Sequence, residues 1–316
     1  MAKLKELQFS DIYLGATASW LAGVPGKLDP VPAPAECNEE LADLRRLCDD
    51  ECRRHNRREI TVRNGGVSYR VAVLVSLTET VYVLRRFPDR VERLDAIGIH
   101  ASYAEKLMQT GLTGLIVIAG AFGQGKTSTA SALIASRLAA YGGVAVTIED
   151  PPEMPLEGRH GEGVCYQTWV VKGEFGDALR NAARWAPSII FVGEVRDAET
   201  ANEALRASIN GRLVVCTTHA DSVPMAVERL FSLARADSGN PEDIAHLLAS
   251  GLRCVVHQEL VGEPKRLKAS MLWLGDETAA QGHIRRREWA QLQNTVDMQY
   301  NRLRVGMGRT TKVAAA

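Results

Sequence analysis

The sequence predicts an α/β protein in two parts: a small α+β unit, then a larger domain built on a parallel sheet. Three observations carry this. From residue 115 onward, short apolar runs alternate with helical stretches, the pattern of a parallel sheet covered by helices. Gly120-Ala121-Phe122-Gly123-Gln124-Gly125-Lys126-Thr127 stands between the apolar run 115–119 and a helical stretch over 128–141, so a complete G-x-x-x-x-G-K-[ST] pattern has the strand–turn–helix setting it needs. Upstream, Asn64-Gly65-Gly66 joins two β-rich runs, a strong hairpin signal.

The chain has 316 residues, room for two domains of ordinary size. Its 46% hydrophobic and 24% charged content is that of a globular protein with a core. The formal net charge of zero gives no sign of wholesale attraction to nucleic acid or acidic lipid. No apolar stretch approaches the roughly 20 residues of a membrane-spanning helix, and no secretory signal pattern opens the chain. The expected location is therefore the cytoplasm. The six cysteines are scattered, as reduced thiols are.

Residues 1–92 are expected to form the α+β unit. Prolines 25, 30, 32 and 34 mark a loop. Asn38 is placed to cap a helix with Glu39 and Glu40 in its first turn and Arg53, Arg54, Arg57 and Arg58 toward its end, charges that suit the helix dipole. Leu41, Leu44, Cys48, Cys52 and His55 share one face of it. Cys48, Cys52 and His55 invite a metal reading, but no second Cys/His pair completes a tetrahedral set, and an apolar helix face accounts for them. Strands are expected over 59–63, 67–75 and 81–85. Residues 93–105 are weakly patterned and read as a linker, and 106–316 as the parallel domain. There, further strands are expected over 144–148, 188–192 and 213–217, helices over 175–185, 197–210 and 241–257, a hairpin over 258–274, and a frayed tail after about 306.

The glycine-rich loop points to a nucleoside triphosphate. Its glycines let backbone N–H groups curl around a phosphate at the positive end of the following helix. Gly120, Gly123, Gln124, Gly125, Lys126, Thr127 and Ser128 are the expected nucleotide-binding residues, with Lys126 reaching the β/γ-phosphates and the Thr127 hydroxyl on Mg2+. Hydrolysis needs, in addition, carboxylates to orient water and support the metal. Glu149 and Asp150, Glu194, and His219 each lie just past an expected strand, at the sheet edge where α/β proteins bind ligands. Glu194 follows its strand where an aspartate is usual and could accept a proton from water, so the metal shell must draw on Thr127 with Glu149 or Asp150. Glu149-Asp150-Pro151 fits a solvated turn as well.

These residues carry a family resemblance. Thr147-Ile148-Glu149-Asp150-Pro151-Pro152-Glu153 resembles the Asp box of the type II/type IV secretion ATPases. Phe191-Val192-Gly193-Glu194-Val195-Arg196-Asp197-Ala198-Glu199-Thr200 resembles their atypical Walker B segment, and Thr217-Thr218-His219-Ala220 their His box. All three follow the P-loop in family order and spacing, and the resemblance covers about 120–220. Upstream, Ser10-Asp11-Ile12-Tyr13-Leu14 is similar to the family's opening segment, with Tyr13 where histidine is usual. Tyr69-Arg70-Val71 and Leu84-Arg85-Arg86-Phe87-Pro88 resemble strands that supply arginines to the nucleotide in PilT-like members.

The resemblance implies a RecA-like P-loop ATPase domain preceded by a small PAS-like α+β domain, using ATP and Mg2+. It implies a homo-hexamer in the cytoplasm, bound at the inner membrane through the components of a secretion or pilus machine. By resemblance, Glu194 is the catalytic carboxylate, His219 a γ-phosphate sensor, and Glu149 and Asp150 face metal and water. Arg70 and Arg85 are then charge-stabilising arginines at the inter-domain cleft, with outward-facing sheet positions as the lesser alternative. The chain lacks the CxxC pairs of assembly-type members, and 282–289 does not match the Ala-Ile-Arg-Asn-Leu-Ile segment of retraction-type members. What remains resembles the PilT-like ATPases of type IVB secretion and conjugation, the DotB and TraJ kind. Competing readings are a type IV pilus retraction ATPase, a nucleic-acid-translocating RecA-like motor, which would want a basic strand-tracking channel, and a small-molecule kinase, which would need an acceptor pocket and lid. The expected reading is the secretion motor, with nucleic acid not a direct ligand.

Overall fold

The structure is a computed structural model describing residues 4–171, 173–238, 240–275 and 277–313. Its chain divides into two units, Met1–Arg90 with Pro151–Pro155, and Val91–Asp150 with Leu156–Ala316.

The first unit contains β1 (Asp11–Leu14), β2 (Ser19–Ala22), β3 (Val31–Pro32), α1 (Asn38–His55), β4 (Glu59–Asn64), β5 (Val67–Val75) and β6 (Thr80–Arg86). The strands form one antiparallel sheet in the order β3-β2-β1-β6-β5-β4. Alternate residues bury Ile12, Leu14, Ile60, Val62, Tyr69, Val71, Tyr82 and Leu84, and α1 adds Leu41, Leu44 and Cys48 to this core. The cap of α1 falls at Cys37 rather than Asn38, because a short 3-10 turn, Ala35–Cys37, has already brought the backbone to helical angles. Arg70 sits opposite Arg85 in the β5–β6 ladder.

The second unit carries α2 (Ala101–Leu107), β7 (Gly114–Ala119), α3 (Lys126–Tyr141), β8 (Val144–Glu149), β9 (Gly158–His160), β10 (Gly163–Trp169) and α4 (Phe175–Arg184). It continues with β11 (Ile189–Val192), α5 (Ala198–Ile209), β12 (Leu213–Thr218), α6 (Val223–Ser238), α7 (Pro241–Gly251), β13 (Leu252–Val261), β14 (Arg266–Trp273), α8 (Thr278–Arg286) and α9 (Gln291–Val313). Its eight-stranded sheet runs β14-β13-β7-β12-β11-β8-β10-β9, parallel except for the two edge strands. The central strands β7, β12, β11 and β8 are buried on both faces, as parallel strands between helix layers must be. Leu115, Val117 and Val192 face one apolar layer with Leu205, Val227 and Leu248, while Ile116, Ile118 and Phe191 face the other with Leu133 and Leu138.

Three sequence expectations need correcting. Residues 93–105 are not a linker: Leu94, Ile99 and Tyr103 are buried in the second layer, and Leu94 N–H donates to Ser136 Oγ at 2.9 Å. The helix expected over 241–257 stops at Gly251, and β13 begins at Leu252. A continuous apolar run carries no period to separate a buried strand from a buried helix. Residues after 306, expected as a frayed tail, continue α9 to Val313, and 314–316 lie outside the described residues. Among the described residues no helix is long and apolar enough to cross a membrane.

Candidate nucleotide site

Strand β7 delivers the chain into the glycine-rich loop at Gly120, and α3 begins at Lys126. Gly123 and Gly125 have φ of 73° and 75°, left-handed values that glycine alone adopts at little cost. Gly125 is the N-cap, so no side chain caps α3, and its first turn holds no acid. The positive end of the helix is thus turned to the loop without a built-in anion. Two bonds tie the loop to β13: Gln258 Nε2 donates to the Gln124 carbonyl, and the Leu260 N–H donates to Gln124 Oε1, both at 2.6 Å. Lys126 is buried, and its Nζ donates to Ala121 O at 2.7 Å and meets His219 Nδ1 at 3.2 Å. Thr127 is half-buried and Ser128 exposed in the first turn of α3.

The other candidates stand at the ends of the neighbouring strands. His219 follows β12, Glu194 follows β11 by way of Gly193, Glu149 ends β8 and Asp150 follows it. His219 Nε2 lies 3.3 Å from Glu194 Oε1, and Arg196 Nη2 lies 2.7 Å from Glu194 Oε2. An ammonium only donates, so Nδ1 of His219 accepts from Lys126 and the imidazole proton sits on Nε2, facing Glu194. Burial and then the Lys126 charge push the His219 pKa below its ordinary 6.5; Glu194 opposes this, while Arg229 and Arg196 add to it. The exposed Phe122 ring at the loop's tip stacks on the imidazole, centroids 6.4 Å apart and planes at 17°.

Glu149 is buried, and a Cβ built at Gly193 would come within 3.2 Å of its Cγ. A methyl group there would press on the Glu149 side chain, which would have to give by a few tenths of an ångström. Gln167 Nε2 donates to Glu149 Oε1 and Trp169 Nε1 to Asp150 Oδ1, each at 3.0 Å. Gln167, Trp169 and Gln258 were not foreseen from sequence. The available signal was the i, i+2 spacing of Gln167 and Trp169 on a β-prone run with Val164, Tyr166 and Thr168.

Within the second unit, Lys126, His219 and Glu194 thus form one connected line. Arg70 and Arg85 belong to the first unit and meet acids there. Arg70 bridges Glu59 (3.1 Å) and Glu153 (3.2 Å), the latter in the returning Pro151–Pro155 segment, and Arg85 Nε donates to Asp11 at 2.8 Å.

The loop suits phosphates, with glycines at left-handed φ, an uncapped helix start and an ammonium inside it. Oxygen donors from Thr127, Glu149 and Asp150 suit a hard cation such as Mg2+. Among the described residues no three His, Cys, Asp or Glu side chains are grouped to hold a metal. Mg2+ held through one or two carboxylates and phosphate oxygens requires no such group.

Fold and site together define a P-loop nucleotide-binding protein. The profile of the family described as Type II/IV secretion system protein matches residues 44–299. Among curated relatives, YggR of Escherichia coli K12, described as uncharacterized, is 28% identical over 87% of this chain and 84% of its own length. The type IV pilus ATPase PilU of Pseudomonas aeruginosa is 31% identical over 62% of this chain, which spans half the length of PilU. Among solved structures, the pilus retraction motor PilT with bound ADP is 26% identical with a TM-score of 0.77, covering 93% of this chain and 87% of PilT. The Legionella pneumophila ATPase DotB, 21% identical with a TM-score of 0.72 over 94% of this chain and 89% of DotB, shares the fold. The chain belongs to the type II/IV secretion system protein family and is an ATPase.

Proposed function

We propose that the chain is the ATP-hydrolysing motor subunit of a type IV secretion or conjugation machine, working as a homo-hexamer held at the inner membrane by its partners. The observation that carries this is the line Lys126–His219–Glu194, which joins the phosphate loop to the ends of β12 and β11. Backbone N–H groups from Gly120 to Gly125 cradle the phosphates, and Lys126 exchanges Ala121 O for the β/γ-phosphate oxygens. Thr127, Glu149 and Asp150 hold Mg2+, which when bound neutralises phosphate charge. Glu194 takes a proton from water as the new P–O bond forms at the γ-phosphorus and the bond to the β–γ bridging oxygen breaks, giving ADP and phosphate. Released from Lys126, His219 turns to the γ-phosphate. Arg70 and Arg85 supply positive charge to the transition state.

Phosphate release is the test, measured without any acceptor and with and without DNA, alongside sedimentation with a non-hydrolysable ATP analogue. Acceptor-independent release, unaffected by DNA, from a six-subunit particle is expected. DNA-stimulated turnover would favour the nucleic-acid motor, and release only with an acceptor would favour a kinase.

The similarity to PilT supports a second reading, pilus retraction. Deleting the gene in its own cell separates them: the first reading expects loss of secretion or DNA transfer with surface motility kept, the second the reverse.

A further inference from the structure

The carboxylate pair at the end of β8 is held by a strand that belongs to no phosphate-binding motif. Strand β10 runs parallel to β8, with Gln167 opposite Thr147 and Trp169 opposite Glu149. Alternate residues of a strand share a face, so Gln167 and Trp169 project on the same side. Each meets one carboxylate. The Gln167 amide N–H donates to Glu149 Oε1 and the Trp169 indole N–H to Asp150 Oδ1, both at 3.0 Å.

Neither contact is left to chance. The Gln167 Oε1 accepts two backbone N–H groups, from Leu156 at 2.9 Å and Glu157 at 2.8 Å. Those two donors settle which end of the amide is oxygen, so its NH2 must face Glu149. Gln167 therefore clasps both ends of the Asp150–Pro155 loop, Glu149 where it begins and Leu156 where it ends. An indole N–H can only donate, so it fixes Asp150 Oδ1 as an acceptor. Glu149 is buried, and Gly193 runs near enough that a methyl group added there would meet its Cγ at 3.2 Å.

We propose that Gln167 and Trp169 are the positioning residues of the Glu149–Asp150 pair, orienting the carboxylates toward Mg2+ and the attacking water. The proposal rests on the reading above that this pair serves the metal. Outer partners that aim carboxylate ligands are commonly worth about ten- to hundredfold in metal affinity.

The test uses the full chain and Trp169→Phe, which keeps an aromatic ring and deletes the N–H. Its companion is Gln167→Glu, which keeps an acceptor for Leu156 and Glu157 but turns a carboxylate oxygen on Glu149. Binding of a fluorescent ADP analogue is titrated with Mg2+, and melting temperature and turnover are followed in parallel. Both variants should need roughly tenfold or more Mg2+ for half-maximal binding, with Gln167→Glu the worse. Nucleotide binding without Mg2+ should stay as in the wild type. Turnover of Trp169→Phe should recover toward wild type at high Mg2+, which a merely structural defect would not do. Wild-type Mg2+ dependence in both variants would overturn the proposal, as would a loss of turnover equal at every Mg2+ concentration. Glu149→Gln separates the two layers. If it shifts the Mg2+ dependence and the β10 variants do not, positioning alone fails. If it shifts nothing, the metal role of the pair fails and the positioning proposal with it.

Discussion

The ammonium of Lys126 is committed before any phosphate arrives, to Ala121 O and to His219 Nδ1. A phosphate in the loop competes for the same donors with a full negative charge, which neither a carbonyl oxygen nor a neutral imidazole carries. Lys126→Ala should therefore lose both nucleotide affinity and turnover while keeping its melting temperature, since the lysine opens α3 at the edge of the loop and is not part of the apolar layers. Glu194→Gln should bind ATP as the wild type does and hydrolyse it about a hundred- to ten-thousandfold more slowly, the usual worth of a general base. Single-turnover phosphate release checks both, and greater damage from Glu149→Gln would exchange the two carboxylates' roles. His219 adds a pH dependence. Its folded pKa lies below the 6.5 of the free side chain, through burial and the facing Lys126, Arg229 and Arg196, against Glu194. The unfolded chain then takes up its proton first, so stability present above pH 6.5 is lost as pH falls below it. His257, also pushed down by burial, works in the same direction. Melting temperature should fall below about pH 6.5, less steeply in His219→Gln, and an unchanged slope in that variant would show that His219 does not titrate this way. At this scale the sequence made Lys126, Glu194 and His219 legible through motif spacing. Gln167, Trp169 and Gln258 were not, because a polar residue on a strand looks the same whether it faces water or a carboxylate.

A sheet can hold a loop as well as deliver it. Strand β7 delivers the phosphate loop, and its neighbour β13 fastens it through Gln258 to the Gln124 carbonyl and through the Leu260 N–H to the Gln124 side chain. Gln258 is buried, and its Oε1 finds no partner among the described residues, which costs stability. Gln258→Leu should therefore keep or raise the melting temperature while weakening ADP binding. Loss of one hydrogen bond, about 1 kcal/mol, is roughly fivefold in Kd. Isothermal titration beside thermal melting checks it, and unaltered affinity would mean that the loop is not held through Gln258. Legibility at this scale follows the strength of the local pattern. Strands β7 and β11 are short apolar runs bounded by glycine or serine and could be placed from sequence. Strand β10 mixes Tyr166, Gln167 and Thr168, half-exposed near the sheet's edge, so neither alternation nor an apolar run marked it. Leu252–Val256 failed the other way: buried on both sides, it looked like more of helix α7.

Chain order and spatial membership part company in the whole molecule. The Pro151–Pro155 segment leaves the end of β8 yet belongs to the first unit, where Glu153 meets Arg70 across 83 positions of sequence. No local pattern announces such a return, because it is fixed by tertiary contact alone. The same unit holds Arg85, whose ion pair with Asp11 leaves its side chain 61% exposed. Water screens the pair from the arginine's side, although Asp11 itself is mostly covered, and leaves the guanidinium open to a phosphate. The proposed function gives Arg85 the role of charge-stabilising arginine, and in a ring that arginine can come from the same subunit or from another. Arg85→Ala should then bind ATP normally and turn over far more slowly, since an arginine brought to a transition-state phosphate is worth about a thousandfold or more. Mixing tests donation between subunits. Arg85→Ala and Lys126→Ala proteins, each inactive alone, are combined at several ratios and mixed rings are verified by native mass spectrometry. Interfaces that join an intact loop to an intact arginine should restore part of the activity, most of it near equal proportions. Mixed rings that stay inactive at every ratio would rule out donation in trans, and wild-type turnover by Arg85→Ala alone would remove Arg85 from the site and leave Arg70 as the arginine to test.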